Sequence, residues 1–192
     1  MKDQIENYLN RLNNTIEKLS QNEILICCET LLSAYERGSN IFICGNGGSA
    51  STASHFACDI NKGVSYGEEK RFKIIPLTDN FATITAYSND VGYEDIFVEQ
   101  LKNFYQTNDV IIGISGSGNS ENVLKAVKFV NDNGGISIGW TGYKGGILKK
   151  IAHFSVNANV MDMQTSEDIH LILVHIVMKV LRKKLTGSEE YK

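Results

Sequence analysis

The sequence predicts an α/β fold built on a parallel sheet covered on both faces, and three observations carry that reading. After Gly38 five short apolar runs, near 40–45, 72–77, 109–115, 136–142 and 153–158, are bounded by turn residues and carry no polar face. Between them lie segments of helical periodicity, at roughly 49–62, 80–102, 120–132 and 145–151, so strands alternate with helices. Finally, "CGNGGSAS" follows the first run and "GISGSGNSENV" the third, each opening a helix, where open parallel sheets place their ligands.

The elements follow in order. Ile5, Tyr8, Leu9, Leu12, Ile16 and Leu19 recur at helical spacing and form one apolar stripe. Ile24, Leu25, Cys28, Leu31, Leu32 and Tyr35 do the same over a second helix at about 22–35. Two amphipathic helices over 1–38 could cover the sheet or pack against another chain, and the oligomer interface gains weight because a long leading helix on a small α/β domain otherwise has little to bury against. The lone proline, Pro76, falls at a strand end, where a missing N–H does least harm. A last helix over about 166–186 carries Ile169, Leu173, Ile176 and Val180 and ends in Arg182, Lys183 and Lys184, suiting its dipole. With no linker or repeat in view, residues 1–192 read as one domain: a helical pair over 1–38, then an α/β core with its C-terminal helix over 39–186.

Composition narrows the function classes. At 192 residues, 42% hydrophobic and 21% charged, the chain is long enough for a proper core without disulfides or metal to hold it together. A formal charge of −3 with dispersed basic residues argues against a nucleic-acid partner, so any phosphate must be held by local backbone donors. Cys27, Cys28, Cys44 and Cys58 match neither a zinc ribbon nor a redox CxxC pair and read as buried thiols in a reducing compartment. No apolar run reaches bilayer length and the N-terminus lacks a signal-peptide pattern, so the expected location is the cytoplasm, without a membrane partner.

Neither loop is a dinucleotide fingerprint or a P-loop, and the P-loop lysine is missing, which disfavours ATP and NAD. Ser49, Ser115, Ser117 and Ser120 could simply cap helices. Two such loops at matching places in one sheet instead favour an anionic ligand, a small phosphorylated polyol, held by hydroxyls and free N–H groups.

His55 and Asp59 stand i, i+4 on the helix leaving the first loop, with β-carbons roughly 6 Å apart, a spacing that suits a shared metal or an acid and a base. The last helix adds "SEDIHLILVH". His170 and His175 are about 140° apart around it, so one of them is structural. Glu167 and His175 are about 12 Å apart along it, awkward for two ligands of one ion. Both can act only if Glu167 precedes the helix or the two come from different chains. His153, in a strand-like run, reads as structural.

Together, "CGNGGSA…HFA", "SNDVGYEDIF", "GISGSGNS" and "EDIH…H" resemble the phosphoheptose isomerases, a branch of the SIS sugar-isomerase fold. The resemblance covers nearly the whole chain. It implies a three-layer αβα sandwich around a flavodoxin-like five-stranded parallel sheet, a homotetramer and active sites between subunits. It further implies that Asn46, Gly47, Gly48 and Ser49 meet the substrate, that Asn89 and Asp90 line the pocket, and that Ser115, Gly116, Ser117 and Ser120 hold the phosphate, with Gly116 where relatives often carry threonine. His55, Asp59, Glu167 and His175 fall on the metal ligands, with one zinc per subunit, and Asp59, Glu167 and His175 on the catalytic and substrate-contacting set.

Two departures stand out: Asp59 replaces a glutamate and Glu167 a glutamine. Losing a methylene moves the carboxylate back by about 1.5 Å, on a scale where about 1 Å can cost a hundredfold. Two anionic ligands instead of one would hold a divalent cation more firmly but make it a weaker Lewis acid. The implied reaction is conversion of D-sedoheptulose 7-phosphate to D-glycero-D-manno-heptose 7-phosphate through an enediol, the first step toward activated heptose. The base is Asp59 or Glu167 and the acid His175. The competing reading is a non-catalytic SIS regulator that binds sugar phosphates, of the type that associates with a replication initiator; an isomerase acting on another sugar phosphate is the third.

Overall fold

The computed structural model describes residues 1–188, so the last four residues of the expected 1–192 domain lie outside the described ones. Five strands, β1 (Ile41–Cys44), β2 (Ile74–Pro76), β3 (Val110–Ser115), β4 (Ile136–Thr141) and β5 (Phe154–Asn157), form one parallel sheet in the order β2-β1-β3-β4-β5. This is the doubly wound arrangement in which the strand order reverses between β1 and β3, leaving a crevice at their carboxyl ends. Both glycine-rich loops open onto that crevice.

Alternate strand residues face opposite ways, so each strand feeds two cores. Ile41 and Ile43 of β1 join Ile112, Ile138 and Trp140 beneath α2 (Gln21–Arg37), α3 (Gly48–Cys58) and α8 (Met163–Thr186). Phe42 and Cys44 join Ile111, Leu101, Val123, Val127 and Leu148 on the other face, under α5 (Val98–Phe104), α6 (Glu121–Asp132) and α7 (Leu148–Ile151). The result is the three-layer sandwich.

Local chemistry moves several boundaries. The helix expected over 80–102 is three pieces: α4 (Phe81–Asp90), a 3₁₀ turn (Tyr93–Asp95) and α5. Gly92, at φ 156°, breaks the run with a backbone conformation that side chains resist. The helix expected over 49–62 is α-helical only to Cys58, and a π-helical segment (Asp59–Val64) begins at Asp59. Such segments often mark functional positions within helices.

The leading stripe splits. On α1 (Lys2–Glu17) Leu12, with Leu19 just beyond, packs on the core, while Ile5, Leu9 and Ile16 remain exposed. Tyr8 donates to Asp168 and Arg11 pairs with Asp162, so α1 is fastened to the start of α8 within its own chain. His153 is bonded to Ser137, its Nδ1 lying 3.0 Å from the Ser137 hydroxyl. The four cysteines are free thiols and Cys58 alone of them is exposed; burial pushes the Cys27 thiol up to about 12. No helix among the described residues is long and apolar enough to cross a membrane.

Candidate active site

Each glycine-rich loop ends in a helix whose N-cap residue, Gly47 or Ser120, makes no side-chain capping bond. Ser20, Asn80 and Asp162 cap α2, α4 and α8 by accepting a backbone N–H, but α3 and α6 have no such bond. Ser120 occupies the N-cap position of α6, yet its hydroxyl lies 3.0 Å from that of Ser115. Ser115 accepts from Gly118 N–H at 3.1 Å and Ser117 from Asn119 N–H at 3.2 Å. These serines spend acceptor lone pairs on the loop, and their O–H groups converge beside the start of α6, an arrangement suited to an anion. Capping does not account for Ser120. Gly116 has a physical reason of its own: a Cβ there would lie 2.5 Å from the Met163 sulfur at the start of α8. The space a threonine would take is filled by methionine.

On the first loop Gly47 adopts φ 54° as it turns into α3, and Ser49 is buried, its N–H donating to Asn46 O at 3.0 Å. Asn46 is half-buried and exchanges two 2.9 Å amide bonds with Asn122. Tyr93 donates to Asn46 Oδ1 at 2.8 Å. Asn89 and Asp90 end α4, joined by a 2.7 Å bond and otherwise exposed. Asn122 and Met163 went unnoticed in the sequence. An asparagine inside "GNSENV" and a methionine at a helix start carry no signal without the fold.

Helices α3 and α8 run side by side with their starts together. The Glu167 carboxyl lies 3.1–3.2 Å from where a Cβ on Gly48 would stand. About two turns further along, the His55 and His175 rings meet edge to face with centroids 5.2 Å apart. Asp59 Oδ2 stands 3.4 Å from His55 Nε2 and 3.9 Å from His175 Nε2. Ligands about 2 Å from a tetrahedral ion sit roughly 3.3 Å apart, so the 3.4 Å separation matches and the 3.9 Å one is wider, and the triad could hold a metal ion. Its ligand atoms all lie within 4.8 Å of one another.

The expected fourth ligand does not join them. Glu167 is the fifth residue of α8, inside the helix and not before it, so about 12 Å of axis separates it from His175 in one chain. The expected four-residue set is therefore three residues within one subunit.

The two histidines of α8 divide as their angular offset requires. His175 is exposed, with 52% of its side chain accessible, whereas His170 is 1% exposed with no hydrogen-bond partner on either ring nitrogen. Burial pulls the His170 imidazole down to about 4. Below about pH 6.5 the unfolded chain therefore binds a proton that the folded chain refuses, so stability falls as pH drops toward 4. Between pH 7 and 5 the protein is expected to lose about 2 kcal/mol that His170→Leu keeps, measured by urea unfolding at both pH values. Equal losses in both proteins would contradict this origin.

A family model for the SIS domain matches residues 5–142. The chain is 35% identical over 158 residues to a phosphoheptose isomerase of Helicobacter pylori, covering 82% of each protein. It is 34% identical to a probable phosphoheptose isomerase of Thermoplasma acidophilum, covering 91% of this chain and 92% of that one. Among solved structures, a phosphoheptose isomerase of Neisseria gonorrhoeae superposes with a TM-score of 0.87 at 26% identity, over 94% of this chain and 97% of that one. With the doubly wound sheet and its paired loops already in place, this similarity assigns the family: the chain belongs to the SIS domain family, on the branch of the phosphoheptose isomerases.

Proposed function

We propose that the protein is an aldose-ketose isomerase that converts D-sedoheptulose 7-phosphate to D-glycero-D-manno-heptose 7-phosphate, in the cytoplasm, as the first step toward activated heptose. The observation that carries the proposal is the convergence of His55, Asp59 and His175 on the helices that flank the glycine-rich loops. A sugar-phosphate regulator would need the loops but has no use for an acid, a base and a cation site held together.

The reaction moves a proton between neighbouring carbons through an enediol, so one acid and one base must reach the same two-carbon unit. Asp59 and His175 are within 3.9 Å of each other, whereas Glu167 is two turns away in its own chain. Asp59 is therefore assigned as base. Its Oδ2 faces the histidines, leaving Oδ1 for the proton, while His175 exchanges protons with the sugar oxygens. His55, Asp59 and His175 would hold the zinc, which supplies positive charge for the oxyanion of the enediol when bound. Ser115, Ser117 and Ser120 hold the phosphate, and Asn46, Gly47, Gly48, Asn89 and Asp90 the sugar.

Length supports a site shared between subunits of a homotetramer. Met163 touches the phosphate loop at Gly116, and His175 is twelve residues on, about 18 Å along the helix. An extended seven-carbon phosphate reaches roughly 9 Å, at the 3.3–3.6 Å per three bonds of an open chain. One substrate cannot touch both in one chain. It can reach from the serine loop to Glu167, one turn past Met163, where a neighbouring subunit's triad would complete the site. The exposed Ile5, Leu9 and Ile16, and the apolar groove of Leu25, Ile176 and Val180 beside His175, are suitable surfaces for that packing. Leu25→Glu is expected to yield a smaller species in sedimentation that lacks isomerase activity; an active monomer would refute the shared site.

The decisive experiment follows sedoheptulose 7-phosphate in deuterated water by NMR, with and without zinc. Product carrying deuterium beside the carbonyl supports the isomerase. Binding of the sugar phosphate with neither product nor exchange moves the function to the regulator.

A further inference from the structure

An asparagine amide offers two N–H donors and two oxygen lone pairs, and what it presents to a ligand depends on which way it is turned. Val123 N–H belongs to the first turn of α6, where backbone donors have no partner within the helix. It donates to Asn122 Oδ1 at 2.9 Å, and a backbone N–H cannot be reversed. With its oxygen pinned, Asn122 must present its nitrogen to Asn46, so the Asn46 oxygen is the acceptor across the pair. Tyr93 fills the second lone pair of that oxygen at 2.8 Å, and one Asn46 N–H returns to Asn122 Oδ1 at 2.9 Å. Three of the four hydrogen-bonding positions of Asn46 are thus used inside the protein. What remains is one N–H, on a half-buried residue beside the exposed Gly47 and Gly48.

Asn122 is 2% exposed and lies too deep to meet a ligand itself. The turn that carries Tyr93 is tied to the same helix, because Lys125 of α6 bonds both carboxylate oxygens of Asp95 at 2.9 and 3.1 Å. The start of α6 therefore sets both partners of the Asn46 oxygen.

We infer that Asn122, backed by Tyr93, is a positioning residue that locks the Asn46 amide so that it can only donate, through one N–H, to an oxygen of the sugar. This rests on the sugar-phosphate reading above and adds the polarity of one contact. The sugar must offer an acceptor at that point, and a group there that can only donate finds no partner.

Asn122→Asp tests it. Aspartate still accepts from Val123 N–H but sets an oxygen against each Asn46 amide atom, so neither orientation of Asn46 keeps both bonds across the pair and its amide is no longer locked to donate to the sugar. Titration calorimetry is expected to show about tenfold weaker binding of sedoheptulose 7-phosphate, the scale of one lost hydrogen bond with its partner left unpaired. Inorganic phosphate, which needs only the serine loop, is expected to change by less than about twofold. In an Asn46→Ala background Asn122→Asp should add nothing further, because coupled residues share one effect. Equal loss of both ligands, no loss of either, or additive losses in the double variant would each overturn the inference.

Two measurements stand if Asn122→Asp fails to fold. Tyr93→Phe, which removes one hydroxyl from an exposed position, should weaken sedoheptulose 7-phosphate several-fold at unchanged melting temperature. In the wild-type protein, one of the two Asn46 side-chain amide protons should shift on adding sedoheptulose 7-phosphate and neither on adding inorganic phosphate. An unaffected Tyr93→Phe variant, or an amide that ignores the sugar, overturns the inference. Binding is read throughout, so a protein that shifts its Asn46 proton but makes no product refutes the isomerase and leaves this contact standing.

Discussion

Replacing His175 with alanine is expected to lower turnover of sedoheptulose 7-phosphate by about 10²–10⁴-fold, the range that a positioned acid or base contributes. The side chain is half exposed on α8 and its polar contact is with Asp59, so the melting temperature should barely move. Asp59→Asn keeps the shape and removes the base, and should abolish deuterium uptake beside the carbonyl. Glu167→Gln is the informative contrast. If it abolishes exchange while Asp59→Asn only weakens zinc binding, the assignment of the base is reversed and the proton is taken by the carboxylate at the loop. Full activity in His175→Ala would remove the triad from the chemistry altogether.

The strands were legible because a sheet buried on both faces demands continuous apolar runs, and "NIFICG" and "DVIIGIS" can satisfy little else. The break at Gly92 was harder to see, since Ile84, Tyr87, Ile96 and Leu101 keep an apolar character across the gap and only the backbone angle at the glycine ends the helix. The π-helical turn at Asp59 has no sequence signature at all. It begins where Asp59 still has α-helical angles, φ −63° and ψ −40°, so it leaves the i, i+4 placement of Asp59 against His55 intact and changes only the path that follows.

The site divides in the same way. The i, i+4 spacing of His55 and Asp59 placed them on one face from the sequence alone, and the angular offset of His170 and His175 required one to be structural. Which histidine that was depended on how α8 lies on the sheet. The Asn46, Asn122 and Tyr93 network was invisible because its members are separated by 76 and 47 positions and meet only through the crossover between β1 and β3. Met163 against Gly116 is of the same kind: local sequence names a flexible loop, and the partner that fills it arrives from the other end of the chain.

That dependence on a distant partner makes Gly118→Ala the most damaging single methyl group that the phosphate loop could receive. Gly118 sits at φ 69°, a left-handed conformation that costs an alanine about 1–2 kcal/mol by itself. Its new Cβ would also run into the carbonyl of Gly145, which is backbone and cannot swing away. Nor can the two loops separate freely. Gly118 O accepts from Leu148 N–H at 2.9 Å, and Gly116 O accepts from Gly142 N–H at 2.9 Å, so backbone bonds hold them together on both sides of the collision. The loop must shift, and a shift of about 1 Å at groups that position a ligand costs on the order of a hundredfold. Gly118→Ala is therefore expected to weaken inorganic phosphate and sedoheptulose 7-phosphate alike, by about a hundredfold, and to lower stability by more than the backbone strain alone. Gly67→Ala is the matched control: φ is 85° and nothing stands within 4 Å of its Cβ, so it bears only the strain and should bind both ligands normally. Equal binding by the two variants would mean that the serine loop does not hold the phosphate, whereas loss of sugar phosphate without loss of phosphate would move the anion site to the first loop.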